Sequence, residues 1–179
     1  MNKLKLPLAV FVIWVVASSV YLYVWAFTDY GYFDEQNQWL GLTEMAPAQT
    51  KLLTYFDLSE VASVNQRLLV HIRETGCRCN AYADQHADDL LADVQGQQIT
   101  LTVAEANALN ISVPATPMVA VFQLKESTAK LIYAGPYASG PFCSADDSFL
   151  PAVLGGGLDI SGPWLNGGVK ACRCVVTNE

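Results

Sequence analysis

The sequence predicts an α/β domain with a central mixed sheet, carried behind a single N-terminal transmembrane helix. Leu6 to Phe27 is a run of 22 residues without a charged side chain. From residue 66 to residue 154, short apolar strands alternate with segments of helical period, and Gly, Pro and Asn stand at the changes of period. Such alternation is the signature of strands covered by helices. The chain divides into an anchor (1–27, spanning 6–27), a juxtamembrane linker (28–50), the α/β domain (51–157) and a C-terminal extension (158–179).

As a helix rising ~1.5 Å per residue, Leu6 to Phe27 would reach about 33 Å, enough for a hydrocarbon core of about 30 Å. Lys3 and Lys5 precede the run, and Asp29, Asp34 and Glu35 follow it. This charge asymmetry puts the N-terminus in the cytoplasm and exports the remainder. Tyr21, Tyr23, Trp25, Phe27 and Tyr30 gather at the far end like an interfacial belt. A cleaved signal with Ala17-Ser18-Ser19 as its small-residue site is the competing reading, but the apolar run continues well past that site. Residues 28–50 are polar and aromatic with little periodicity, and Lys51 to Val61 has the apolar clustering of a short helix.

Gln66 to Arg73 reads as a buried strand through Leu68, Leu69, Val70 and Ile72. Asn80 to Val94 has an apolar face at Ala83, Ala87, Leu90 and Leu91, with Asp84, Asp88 and Asp89 opposite as a solvated face. Gln97 to Val103 alternates like a strand, and Ala104 to Asn110 reads as a short helix. Met118 to Gln123 and Lys130 to Ala134 form a strand pair across a polar turn, and Ser144 to Leu154 reads as a helix. Gly155 to Gly157 ends that unit, and Val169 to Val176 is apolar enough for one added strand.

The formal charge is −7, and all 17 acidic residues follow the apolar run. No cluster of Lys or Arg is present, so nucleic acid is excluded as a partner. Five cysteines stand at 77, 79, 143, 172 and 174, so at least one remains outside any disulfide within the chain. Four of them form two Cys-Arg-Cys triplets. Cys77 and Cys79 fall where the first core strand meets the first long helix. A helix N-terminus favours thiolate over thiol, and Arg78 adds a cation between the two sulfurs.

The element order, the dithiol at this strand–helix junction and Val113-Pro114-Ala115-Thr116-Pro117 before the next central strand together resemble the thioredoxin fold, over about residues 66 to 154. The chain is most similar to the membrane-anchored, periplasm-facing thioredoxin-like proteins. The resemblance implies a three-layer fold and a cis Thr116-Pro117 peptide facing the redox cysteines. It also implies a catalytic set of Cys77, Cys79, Thr116 and Pro117; by position, Cys77 at the strand end outside the helix is the attacking thiol and Cys79 in the first turn the resolving one. The usual motif is Cys-x-x-Cys, whereas here Asn80 stands where the second cysteine would fall. A disulfide across one residue closes a smaller, more strained ring, which points to an oxidant or isomerase.

The expected function is therefore a membrane-tethered thiol–disulfide oxidoreductase of the bacterial inner membrane. It is single-pass with its domain in the periplasm, acts on protein thiols or a redox partner protein, and needs no cofactor or resident metal. A copper- or zinc-handling module and a non-catalytic binding protein on the same scaffold are the alternatives, although no histidine follows His86 to complete the cysteine-and-histidine set of thioredoxin-like copper carriers. Cys143, Cys172 and Cys174 admit three accounts. One is a structural disulfide from Cys143 to Cys172 or Cys174, the second a relay dithiol, the third a four-thiolate site. His86 shares a helix face with Cys79 about 10 Å along the axis, too far for a direct bond. His71 reads as packing.

Overall fold

Apolar residues in unbroken succession require a strand covered on both faces, and β2 (Gln66–Arg73) is such a strand. In the computed structural model, which describes residues 5–40, 42, 51–52, 66–91, 96–125, 128–155 and 162–177, β2 lies inside a five-stranded sheet. Beside it run β3 (Gly96–Thr102), parallel, and β5 (Met118–Lys125), antiparallel. β6 (Thr128–Gly135) pairs antiparallel with β5, and β7 (Trp164–Leu165) closes the far edge parallel to β6. The sheet is mixed, as the sequence predicts. β7 shows that the sheet does not end at residue 157: the extension returns to it.

Alternation in β2 sends side chains to two cores. Leu68, Val70 and Ile72 join Leu101, Ala120 and Phe122 on one side, with Val103 and Ala106 of α3 (Val103–Ala108). Leu69 joins Val119, Val121 and Tyr133 on the other, with Ala83 and Ala87 of α2 (Asn80–Leu91) and Leu150 and Val153 of α4 (Leu150–Leu154). Thr102 and Glu105 form a reciprocal capping box that starts α3 directly out of β3. The expected helix over 144–154 is instead a 3-10 turn, Ala145–Asp147, followed by α4, with Pro151 in its first turn.

The apolar N-terminus forms one helix, α1 (Lys5–Phe27), long and apolar enough to cross a membrane. Ser19 and Thr28 donate their hydroxyls to the carbonyls of Val15 and Val24, so neither polar group is left unpaired on that helix.

The linker expected at 28–50 is corrected over its first part. β1 (Tyr30–Tyr32) pairs antiparallel with β8 (Lys170–Cys172), and Phe33 and Trp39 are buried in the first core. The Asp34 carboxylate accepts from the backbone N–H groups of Gln38 and Trp39 and folds this segment onto itself. Three residues pairing with a strand about 140 positions away leave no periodic signal. Lys51 and Leu52 are helical and Leu52 is buried, while the rest of the helix expected to Val61, like residues 43–50, lies outside the described residues.

The single strand expected at 169–176 is in fact two. β8 pairs with β1, whereas β9 (Cys174–Val175) pairs with β4 (Ala115–Thr116), and Arg173 makes the break between them. The C-terminal extension thereby ties β1 to the segment that enters β5.

Candidate functional site: a four-cysteine centre

The turn between β2 and α2 is set by Gly76, whose φ of +84° is a conformation costly to other residues. Cys77 N–H donates to the Glu74 carbonyl, Asn80 Nδ2 donates to the same oxygen, and Asn80 N–H donates to Cys77. These bonds fix both sulfurs of the first triplet at the mouth of the helix. Ala83 N–H, one turn on, donates to the Cys79 carbonyl.

The second triplet arrives on the opposite side, running antiparallel to the first. Cys77 is disulfide-bonded to Cys174 with Cα atoms 5.8 Å apart, and Cys79 to Cys172 with Cα atoms 5.7 Å apart. Cys77, Cys79 and Cys172 are buried and form a small core of their own, on which Cys174 packs. The Sγ atoms of Cys77, Cys79 and Cys174 all lie within 4.8 Å of one another. The redox pair expected within the first triplet is therefore replaced, in this oxidised state, by two bonds between the triplets. The reason is positional: Thr116 in β4 lies opposite Cys174 in β9, and that register carries the tail's sulfurs to those of the turn.

Cys143 does not take part. The structural bond expected from it to Cys172 or Cys174 is absent, and Cys143 is a free thiol buried in the second core. Burial raises its pKa to about 11, so it is a protonated thiol at neutral pH. Its φ of +50° is an unusual conformation for a residue with a Cβ.

The Thr116-Pro117 peptide is cis, and it faces the centre. Cys77 Sγ lies 3.5 Å from the Thr116 carbonyl oxygen. Val176 N–H donates to the Pro114 carbonyl at 3.0 Å and continues the β4–β9 ladder by one bond. Thr116 is fully buried, and its hydroxyl has no hydrogen-bond partner among the described residues.

Both triplet arginines reach back to the segment after α1, which nothing in their sequence context announces. Arg78 pairs with the Asp29 carboxylate at 2.7 Å and lies over the Trp25 ring, 5.2 Å from its centroid. Arg173 donates its backbone N–H to the Asp29 carbonyl at 2.7 Å and pairs through its guanidinium with Glu35 at 2.6 Å. Gly31 lets the Arg173 guanidinium lie against the backbone here: a Cβ at that position would fall 2.4 Å from it and would push this side-chain end aside. Asp29, Gly31 and Glu35 are the site-shaping residues that sequence reasoning missed; their only signal is an acidic pair beside the end of an apolar helix.

The two histidines are buried and both pack against the Tyr137 ring. His71 Nδ1 and the Tyr137 hydroxyl are 2.5 Å apart, and His71 Nε2 is 3.1 Å from Gln98 Oε1. Desolvation by burial lowers the His71 pKa, and Gln98 only partly counters it. Burial also raises the Tyr137 pKa well above the usual phenol value. His86 Nε2 lies 2.8 Å from the Ser148 hydroxyl, which ties α2 to the segment before α4. Asp84, read as part of a solvated face, pairs with Arg73.

Fold and site together define a mixed α/β domain behind one apolar helix, closed by two disulfides between paired Cys-Arg-Cys triplets. The chain belongs to the DUF6436 family, described as a domain of unknown function, whose match covers residues 46–176. That span contains both triplets and starts beyond α1. No curated protein and no solved structure matches the chain.

Proposed function

We propose that this chain is a membrane-tethered thiol–disulfide oxidoreductase of thioredoxin-like architecture, acting on protein thiols from the periplasmic side of a bacterial inner membrane. The observation that carries this reading is the setting of the Cys77 sulfur. It sits at a strand–helix junction beside the cis Thr116-Pro117 peptide, bonded to a cysteine of an extended strand. That is the arrangement a mixed disulfide with a polypeptide partner would take. The order β3-β2-β5-β6 with α2 following β2 agrees with the resemblance to the thioredoxin fold. Lys3 and Lys5 before the apolar run Leu6 to Phe27, with Asp29, Asp34 and Glu35 after it, support the topology.

In the exchange, a partner dithiol gives two electrons and two protons to the centre. One partner thiolate attacks Cys77 Sγ, and Cys174 leaves as a thiolate that takes up a proton. The partner's second thiol then closes on the first, releasing Cys77 as a thiolate and the partner as a disulfide. The α2 N-terminus and Arg78 stabilise the Cys77 thiolate as it leaves.

The test uses full-length protein in nanodiscs. The oxidised form should convert a dithiol peptide to its disulfide in proportion to thiols gained on the protein, counted by alkylation. In Cys174→Ala, where Cys77 is a free thiol, its thiolate should attack the disulfide form of that peptide, expel one peptide thiolate and accumulate as a Cys77–peptide mixed disulfide. A centre that stays oxidised in the presence of excess dithiol peptide would instead mark the two bonds as structural and the protein as a non-catalytic binding module.

One observation favours a second reading, a copper or zinc site. Once reduced, the three sulfurs within 4.8 Å of each other, with Cys172 beside them, offer soft thiolate ligands. Stoichiometric binding of zinc or copper(I) to the reduced protein, abolished by loss of either triplet, would establish it.

A further inference from the structure

The C-terminal strand occupies the site on its own chain. β9 pairs antiparallel with β4, Cys174 stands opposite Thr116, and Val176 N–H bonds to the Pro114 carbonyl. Val176 packs against the first core, whereas Val175 before it is exposed. Each of these interactions belongs to the backbone edge of β4 or to apolar packing against the first core beside it, so none requires that the strand come from the same chain.

We infer that residues 174–176 are a built-in occupant of this edge, and that the external partner is an extended cysteine-bearing segment with an apolar residue two positions after its cysteine. This rests on the thiol-exchange reading above. Such a segment gains the β4 ladder bonds through its backbone and packs its apolar side chain where Val176 does. The position directly after the cysteine, where Val175 faces solvent, imposes no such demand.

The two crossed bonds make displacement of the tail a sequence of steps. An external dithiol first reduces Cys77–Cys174, supplying two electrons and two protons. The Cys77 thiolate then attacks Cys79 Sγ, which lies within the same 4.8 Å cluster, and Cys172 leaves as a thiolate that takes up a proton. This second step transfers no net electrons. Its products are a Cys77–Cys79 disulfide and a tail holding two free thiols, Cys172 and Cys174, with no covalent tie to the turn. A partner cysteine thiolate can then attack Cys77 Sγ, expel Cys79 as a thiolate and take the place of β9.

The test uses the full chain in nanodiscs carrying Cys172→Ala, Cys174→Ala and Val176→Asp, the last to unseat the chain's own tail, reduced beforehand so that Cys77 and Cys79 are thiols. The probe is a synthetic peptide of residues 170–177 with Cys172→Ser, its Cys174 sulfur joined to thionitrobenzoate. Attack by Cys77 on the peptide sulfur expels coloured thionitrobenzoate, whose appearance gives the rate. Two companion peptides carry Val176→Asp or an N-methyl group on Val176, which removes the donor to Pro114. The unmodified peptide should react about tenfold faster than either companion, a difference in line with partial burial of one valine or with the loss of one backbone hydrogen bond. Equal rates for all three peptides overturn the inference and leave thiol exchange standing, whereas no reaction with any of them overturns the thiol-exchange reading as well. As a control that keeps both crosslinks and so guards against misfolding, Val176→Asp in the otherwise intact chain should speed reduction of Cys77–Cys174 by dithiothreitol several-fold. An unchanged rate counts against the tail as a seated occupant.

Discussion

Removing either disulfide alone should cost little stability, and removing both should cost far more than the sum of the two. The bonds join residues 97 and 93 positions apart, so each closes nearly the same loop. In the chain-entropy account, the first crosslink over a loop of that size restricts the unfolded chain by about 4.7 kcal/mol. With one in place, the other closes only the small ring through Arg78 and Arg173, a loop of about five residues worth roughly 2 kcal/mol. Cys77→Ala/Cys174→Ala and Cys79→Ala/Cys172→Ala should therefore each lose about 2 kcal/mol, and the fourfold variant about 7 kcal/mol. The excess of about 3 kcal/mol over additivity is the signature of two bonds securing one closure. Urea unfolding of the full-length protein in detergent, followed by the fluorescence of buried Trp39 and half-buried Trp164, measures all four forms. Additive losses, or one pair costing as much as both, would refute the argument.

Unfolding the protein in denaturant without reductant should expose one reactive thiol, Cys143, and adding reductant should raise the count to five. In the native state Cys143 should resist alkylation near neutral pH, since burial holds its pKa at about 11. His71 is held below its usual pKa by burial, so the unfolded chain binds its proton more readily than the folded one. Stability should therefore be fully present above pH ~6.5 and fall as pH drops toward the folded pKa, with a slope of up to about 1.4 kcal/mol per pH unit from this group. Thermal unfolding between pH 5 and 7.5 should show a flatter profile in His71→Gln than in the wild type. Asp29→Asn should cost less than about 1 kcal/mol, because its pair with Arg78 is partly exposed. The Arg173 N–H bond to the Asp29 carbonyl survives that change, so β8 should stay in place, as amide exchange at Arg173 would report.

Much of the fold is legible in the sequence because it rests on local patterning. The apolar runs of β2 and β5, the alternation in β3 and the helical period of α2 each report their own burial. The first triplet is legible for the same reason, since a turn between an apolar strand and an amphipathic helix locates Cys77 and Cys79. The cis Thr116-Pro117 peptide stands where the resemblance puts it. The β1 strand is different: its three residues are defined only by pairing with Lys170–Cys172. Asp29 and Glu35 likewise acquire a role only when two arginines meet them from elsewhere in the chain.

Cysteine pairing is the clearest case of what patterning withholds. Two identical triplets and a fifth cysteine allow many connectivities, and composition cannot rank them. The choice depends on which backbones meet, and here the β4–β9 register brings Cys174 opposite Thr116 while the β1–β8 register holds Cys172 beside it. By itself, the sequence determined a thiol-bearing α/β domain behind an apolar helix, because hydrophobic period and length are properties of neighbouring residues. Only the tertiary structure decided that the two triplets bind each other and that β9 pairs with β4, because those are contacts between segments far apart in the sequence.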